Sequence, residues 1–226
     1  MVERFFDILF SCLALLILSP LLVPIVLILR LTGEGEIFFL QERIGKGGKV
    51  FKLFKFATML KDSPNIGTGT ITMKDDPRVL PVGNFLRKTK INELPQLLNI
   101  FFGDMSVIGP RPLTVQTFGF YSADTQEIVK KVRPGLSGIG SIIFRGEEEI
   151  MHKASASVDF YDNVIAPYKG LLEEWFVSNK SINIYFLAII ITAWTVVFPN
   201  TNIAWRVFRD LPEPPSDLKQ ALNYIN

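Results

Sequence analysis

Between residues 84 and 112 the chain reads NFLRKTKINELPQLLNIFFGDMSVIGPRP, which gathers the residue types that phosphate chemistry needs. Arg87, Lys88 and Lys90 lead into Ile91-Asn92-Glu93-Leu94-Pro95. Proline is tolerated in the first turn of a helix, where its missing N–H costs nothing. Pro95 therefore predicts a helix start near Asn92, itself a favourable N-cap. Leu94, Leu97, Leu98 and Phe101 follow at helical spacing and predict one buried face. The free N–H groups of such a start, with Glu93 and the cations beside it, can hold a phosphate. A carboxylate there adds the means to hold a divalent metal with it. An ordinary capped amphipathic helix with a solvated basic lead-in explains the same residues at least as well.

The elements that must position this stretch are bounded by composition. A chain of 226 residues suffices for one sizeable domain, or for a domain plus a membrane element. Lys+Arg 24 against Asp+Glu 22 leaves a net charge of +2, so there is no bulk electrostatic case for nucleic acid as a partner. Hydrophobic residues make up 48%, high for a soluble domain, and the excess is concentrated at two places. The single cysteine, Cys12, lies in the most apolar segment, which excludes an intramolecular disulfide and reads as packing. The single histidine, His152, removes His-rich metal sites and argues against a Ser-His-Asp arrangement.

Residues 8–29 carry no charge and would span roughly 33 Å as a straight helix, enough to cross a bilayer. A cleaved signal peptide fits poorly, because the run is long, its flank of Glu3, Arg4 and Asp7 is mixed, and no small-x-small site follows. Ser19-Pro20 sits at the middle of the run and Pro24 follows one turn later. Pro20 removes the hydrogen bond to the Leu16 carbonyl and Pro24 the bond to the Pro20 carbonyl, which together predict a sharp bend. The Ser19 hydroxyl is placed to satisfy a backbone group so freed. A kinked spanning helix and a helix-break-helix that enters and leaves on one face are both open. Arg30, Arg43, Lys46, Lys49, Lys52 and Lys55 follow the run and put the body in the cytoplasm either way, facing anionic headgroups or an anionic substrate.

Residues 37–40 and 50–56 predict short strands around the turn Gly45-Lys46-Gly47-Gly48, which is no Walker A motif. Residues 63–76 are polar and glycine-rich, expected as a mobile loop over or beside the site. After Arg133-Pro134-Gly135, the run Leu136-Ser137-Gly138-Ile139-Gly140-Ser141 either leaves amides open to a ligand or forms a tight loop. Glu147-Glu148-Glu149 reads as a solvated helix start. Residues 181–204 are again uncharged, but the apolar core 182–198 ends at Pro199, predicting an interfacial or partly buried helix rather than a second span. The tail from Arg206 on is expected as a polar extension.

Taken together these motifs resemble the bacterial sugar transferases, the monotopic polyprenyl-phosphate phosphoglycosyl transferases. The resemblance rests on the N-terminal apolar segment with Ser19-Pro20, on QERIGKGGKVFKLFKFATM (41–59) and on LRKTKINELPQLLNIFFGDMSVIGPRPL (86–113). KVRPGLSG (131–138) and Asp159-Phe160-Tyr161 complete it. It implies an α/β, mostly helical monotopic membrane protein: a re-entrant membrane helix bent at Ser-Pro over 1–33, a cytoplasmic catalytic-type domain with interfacial amphipathic helices over 34–198, and an extension over 199–226. It implies magnesium-dependent transfer of a phosphosugar from a nucleotide-diphosphate sugar, usually a UDP-sugar, to undecaprenyl phosphate or a related lipid acceptor. The setting would be envelope glycan synthesis on the cytoplasmic face of the bacterial inner membrane. In the family an Asp-Glu pair is central: the Asp attacks the β-phosphate to form a covalent phosphosugar enzyme and release UMP, and the Glu holds the metal.

This chain has Asn92-Glu93 at that pair. The resemblance implies Glu93 as the magnesium ligand and Arg111, between Pro110 and Pro112, as a phosphate contact, with Lys55, Arg87 and Arg133 as further phosphate-binding candidates. Asn92 stands where the nucleophile is expected, but a neutral amide lacks the charge and basicity that covalent catalysis uses. Three explanations are open: direct attack by the acceptor, a non-catalytic relative that binds lipid phosphate or nucleotide sugar, or an Asp→Asn substitution introduced to trap a complex.

Overall fold

The computed structural model describes residues 2–65, 76–145, 160–199 and 201–224. Most of the polar loop at 63–76, the acidic triplet at 147–149, His152 and Asp159 lie outside the described residues. The fold is mostly helical with two two-stranded sheets.

Helix α1 (Val2–Leu31) is long and apolar enough to cross a membrane, and little of its most apolar window is buried. It runs through Pro20 and Pro24 as one element, where a helix-break-helix was the sharper expectation. Ser19 shows how. Its Oγ donates to the Leu16 carbonyl at 2.7 Å, the acceptor that Pro20 leaves without its usual donor. Strands β1 (Phe38–Ile44) and β2 (Val50–Phe56) form the first sheet, joined through a 3-10 turn at Lys46–Gly48. Gly47 and Gly48 there have φ of 71° and 74°, the left-handed region that favours glycine.

The described chain divides into two compact units. One holds Ile8–Glu42 and Lys52–Phe102, the other Met1–Asp7, Arg43–Phe51 and Gly103–Asn226. In the first, Ile25 and Leu29 of α1 pack with Phe56 and Leu86 as a core. Helix α2 (Pro81–Lys88) starts on a proline, and a Cβ on its Gly83 would lie 2.2 Å from the Thr58 carbonyl oxygen, so it meets the chain backbone to backbone. Helix α3 (Gln96–Phe102) buries Gln96, Leu97, Asn99 and Ile100. The expected apolar face of Leu94, Leu97, Leu98 and Phe101 is therefore only partly the buried one, and Phe101 is exposed. Asn99 goes inward because its amide finds partners there: Oδ1 accepts from the Phe54 N–H at 2.9 Å and Nδ2 donates to the Lys52 carbonyl at 2.8 Å.

In the second unit, β3 (Ser106–Ile108) and β4 (Gly135–Ser137) pair in parallel, Ser106 opposite Gly135 and Ile108 opposite Ser137. A Cβ on Gly135 would lie 2.1 Å from the Gly109 nitrogen, and one on Gly138 2.1 Å from the Gly109 oxygen. Gly135 N–H donates to the Pro110 carbonyl at 2.8 Å. The glycine-serine run is thus the tight packing of its two readings. Helices α4 (Val115–Phe118) and α5 (Ala123–Val129) follow β3, capped by the hydroxyls of Thr114 and Ser122. Beyond β4 come α6 (Ile139–Ile143), α7 (Ala166–Ser178) after a π-turn at Tyr161–Ile165, and α8 (Ile182–Val197). Asp7 is buried, and its Oδ1 accepts from the Ser106 hydroxyl, the Val107 N–H and the Tyr185 hydroxyl, each at 2.9 Å.

The C-terminal segment carries α9 (Ile203–Val207) and α10 (Ser216–Lys219). It differs from the polar extension expected: Phe208, Leu218 and Leu222 are buried, and the Tyr168 hydroxyl donates to the Pro212 carbonyl at 2.7 Å. Apolar residues at 218 and 222, one helical turn apart, give even this short segment a buried side.

Glu173 on α7 is buried, one carboxylate oxygen lacks a hydrogen-bond partner, and burial pushes its carboxyl up to about 7, against the lesser pull of Lys169 and Arg111. A carboxyl whose folded value is raised contributes stability fully present below its ordinary range and lost as pH rises through about 7. Thermal melts should therefore show the wild type losing stability between pH 5 and pH 8, by about 3 kcal/mol at most from this group. Glu173→Gln should flatten that loss, and an unchanged pH slope would contradict the assignment. Gly135→Ala should destabilise by about 1–3 kcal/mol or more in the same melts, because its methyl meets backbone that cannot turn aside.

Candidate active site

Glu93 closes a 3-10 turn, Ile91–Glu93, that lies between α2 and α3. The α-helical ladder begins later than expected, at Gln96, because Pro95 has no N–H to give to the Ile91 carbonyl. Lys90 enters the turn at φ 59°, so Asn92 is inside it and does not cap α3. Its Oδ1 is buried without a hydrogen-bond partner among the described residues. Lys55, from β2, brings its Nζ to 3.7 Å from a Glu93 carboxylate oxygen, with both side chains only partly exposed. Arg87 is half-buried in the last turn of α2, a helix end that favours a cation. Asn92, Glu93, Lys55 and Arg87, together with the Ser19-Pro20 step of α1, all belong to the first unit. The structure brings Lys55 and Glu93 together.

Arg111 and Arg133 belong to the second unit. The Arg111 corner is held from several sides. The Pro110 carbonyl accepts from Gly135, the Pro112 carbonyl from Arg43 Nη1 at 3.1 Å, and the Leu113 carbonyl from the Ile44 N–H at 2.9 Å. The Arg111 N–H itself points to Glu173 Oε1 at 3.4 Å, a long hydrogen bond. Its backbone is fixed while the residue is exposed, which suits a guanidinium that receives a phosphate from solvent. Arg133 differs. Its Nε donates to the Gly103 carbonyl at 2.7 Å and so ties down the turn before Asp104.

Three residues that shape these surroundings escaped sequence reasoning. Asn99 gave one signal, an amide within an otherwise apolar helix face. Asp7 read as one member of a mixed flank, and Glu173 stands beside Glu174 in the stretch GLLEEWF with no local signal of its burial. Among the described residues no three His, Cys, Asp or Glu side chains gather as a metal cluster. Within the first unit Glu93, Asn92 and Lys55 supply a carboxylate, an amide oxygen and an ammonium, groups that in general bind cations and phosphates.

Comparison with known proteins agrees with that chemistry. The profile of the bacterial sugar transferases matches residues 1–199. The exopolysaccharide production protein ExoY of Sinorhizobium fredii is 34% identical over 175 residues, 71% of this chain and 77% of that protein. The UDP-glucose:undecaprenyl-phosphate glucose-1-phosphate transferase of Escherichia coli is 37% identical over 167 residues, 71% of this chain but 35% of that protein. The UDP-N-acetylgalactosamine-undecaprenyl-phosphate N-acetylgalactosaminephosphotransferase of Aeromonas hydrophila is 35% identical over 144 residues, 63% of this chain and 34% of that protein. The chain thus spans about three quarters of the first relative and about a third of the other two. With the profile covering all but the last segment of the chain, this protein belongs to the bacterial sugar transferase family.

Proposed function

We propose that the protein is a membrane-associated phosphoglycosyl transferase, moving a phosphosugar from a UDP-sugar to undecaprenyl phosphate or a related polyprenyl phosphate in exopolysaccharide or envelope glycan synthesis. Relatives named for this donor and acceptor chemistry support the substrate classes. The observation that carries the reading is the pairing of Lys55 with Glu93, the residue next in sequence to Asn92, whose Oδ1 is buried without a partner among the described residues.

That oxygen also bears on magnesium. A buried acceptor without a donor suits a hard cation, and magnesium typically takes one or two protein oxygens with waters and substrate phosphates for the rest. Glu93 and Asn92 fit that role, and a magnesium ion held there would offset charge on the donor's diphosphate. Lys55 holds the Glu93 carboxylate, and Arg87, in the same unit, receives phosphate oxygens. A phosphate oxygen of the lipid attacks the donor's β-phosphorus. The bond from that phosphorus to the bridging oxygen breaks, UMP leaves with the bridging oxygen, and the product is a lipid diphosphate sugar. Because the Asn92 amide is neutral and weakly nucleophilic, the transfer in this chain is direct, without a phosphosugar on the enzyme.

The membrane reading follows the same residues. The Ser19–Leu16 hydrogen bond keeps the carbonyl freed by Pro20 paired, so a bend there would strand no carbonyl in hydrocarbon, which supports a re-entrant helix with both ends on the cytoplasmic face of the inner membrane. Helix α8, exposing Ile190 and Trp194, suits the headgroup boundary.

Membranes carrying the protein, given undecaprenyl phosphate, magnesium and a panel of UDP-sugars, should release UMP with at least one donor and stop on chelation. Silence across the whole panel would leave a binding protein and sink the enzyme. Glu93→Ala should lower the rate by about 10²–10³. Intact-mass measurement with donor alone should find no phosphosugar adduct on the wild type and an adduct on Asn92→Asp; an adduct on the wild type would overturn direct transfer.

A further inference from the structure

Asn99 is fully buried, in a helix face whose other inward residues include Leu97 and Ile100. Burying an amide among apolar side chains is unfavourable unless its groups are paired, and a leucine of similar size would fill the space without that requirement. Its two bonds have a particular form. Phe54 N–H and the Lys52 carbonyl point from the same side of β2, and Asn99 serves one with its oxygen and the other with its nitrogen. A residue of a neighbouring parallel strand would make the same pair of contacts. The β1–β2 sheet has two strands, so the α3 side chain stands in for a third.

This matters because of what lies on either side. Lys55 immediately follows the gripped stretch of β2, and Glu93 sits in the turn just before α3. That turn is stiff, fixed by Lys90 in the left-handed region and by Pro95. A lock between Asn99 and residues 52–54 therefore fixes how far Lys55 Nζ stands from Glu93, the 3.7 Å seen here. We propose that Asn99 is a positioning residue: its amide clamps β2 to α3 and thereby holds the Lys55 ammonium on the Glu93 carboxylate. The kinetic part of the test rests on the transferase reading; the chemical part does not.

Zero-length carbodiimide cross-linking of the full-length protein joins an ammonium and a carboxylate already in contact, and peptide mass spectrometry reads the bond without turnover. The wild type should yield the Lys55–Glu93 link. Asn99→Ala should lower it roughly tenfold, as expected when a supporting group is removed. The Lys130–Glu127 pair, 2.8 Å apart on and just beyond α5, should be unaffected and so reports that the protein is folded. If Asn99→Ala loses that control link, Asn99→Asp decides instead: it keeps the volume and the acceptor for Phe54 but loses the donor to Lys52. In UMP release, Asn99→Ala should cost roughly tenfold in the wild-type background and less than about twofold beside Lys55→Ala. An undiminished Lys55–Glu93 link in the folded variant, or the same kinetic factor in both backgrounds, overturns the proposal. A wild type that forms the link but releases no UMP fails the transferase reading and leaves the clamp to be judged on the cross-link.

Discussion

Among the described residues both sheets have two strands, so every strand there is an edge and about half of its backbone groups face away from a partner strand. Much of the rest of the structure answers that shortage. Asn99 pairs the outer side of β2, Asp7 receives the Val107 N–H on β3, and the glycines at 109, 135 and 138 let β3 and β4 approach closely enough for their own ladder. Each answer draws a distant part of the chain to a fixed place. The corner bearing Arg111 inherits its rigidity from this backbone packing rather than from its two prolines alone.

The ionic groups divide by what they can contribute. Arg78 and Asp76 are buried together, with three hydrogen bonds between the two residues' side chains and backbone, a closed structural pair. Lys55 and Glu93 are partly exposed and 3.7 Å apart, and such pairs are worth about 0–1 kcal/mol. Stability does not explain that pair. The proposed role of the Asn92-Glu93 step gives it another reason to be there. Glu173 lies between the two kinds: its burial costs stability, and it touches the backbone of the exposed Arg111.

Local signals in the sequence carried far. The uncharged run with Ser19-Pro20, the glycine turn between β1 and β2, and the Pro95 restriction each correspond to an element of the structure, because each depends on residues close in the chain. The serine hydroxyl bonds the very carbonyl that Pro20 orphans. What periodicity missed was decided at long range. Asn99 is buried against the Leu pattern because its partners lie on β2, the π-turn before α7 carries no local mark, and Leu218 and Leu222 find a core that a tail rich in proline and charge does not announce. The candidate site residues came from motif; Lys55 reaching Glu93 could be seen only once β2 and α3 were in place.

Asp7 and Tyr185 share a hydrogen bond across 178 positions of the chain. At the speed of a ribosome those positions take roughly ten to forty seconds to make. Throughout that interval the carboxylate at the head of α1 has no phenol to meet, while the apolar run behind it is already complete. The hydrophobic segment is therefore free to settle in lipid long before its head can be fastened. The bond from Tyr185 to Asp7 is a latch that closes late, on an apolar segment already made.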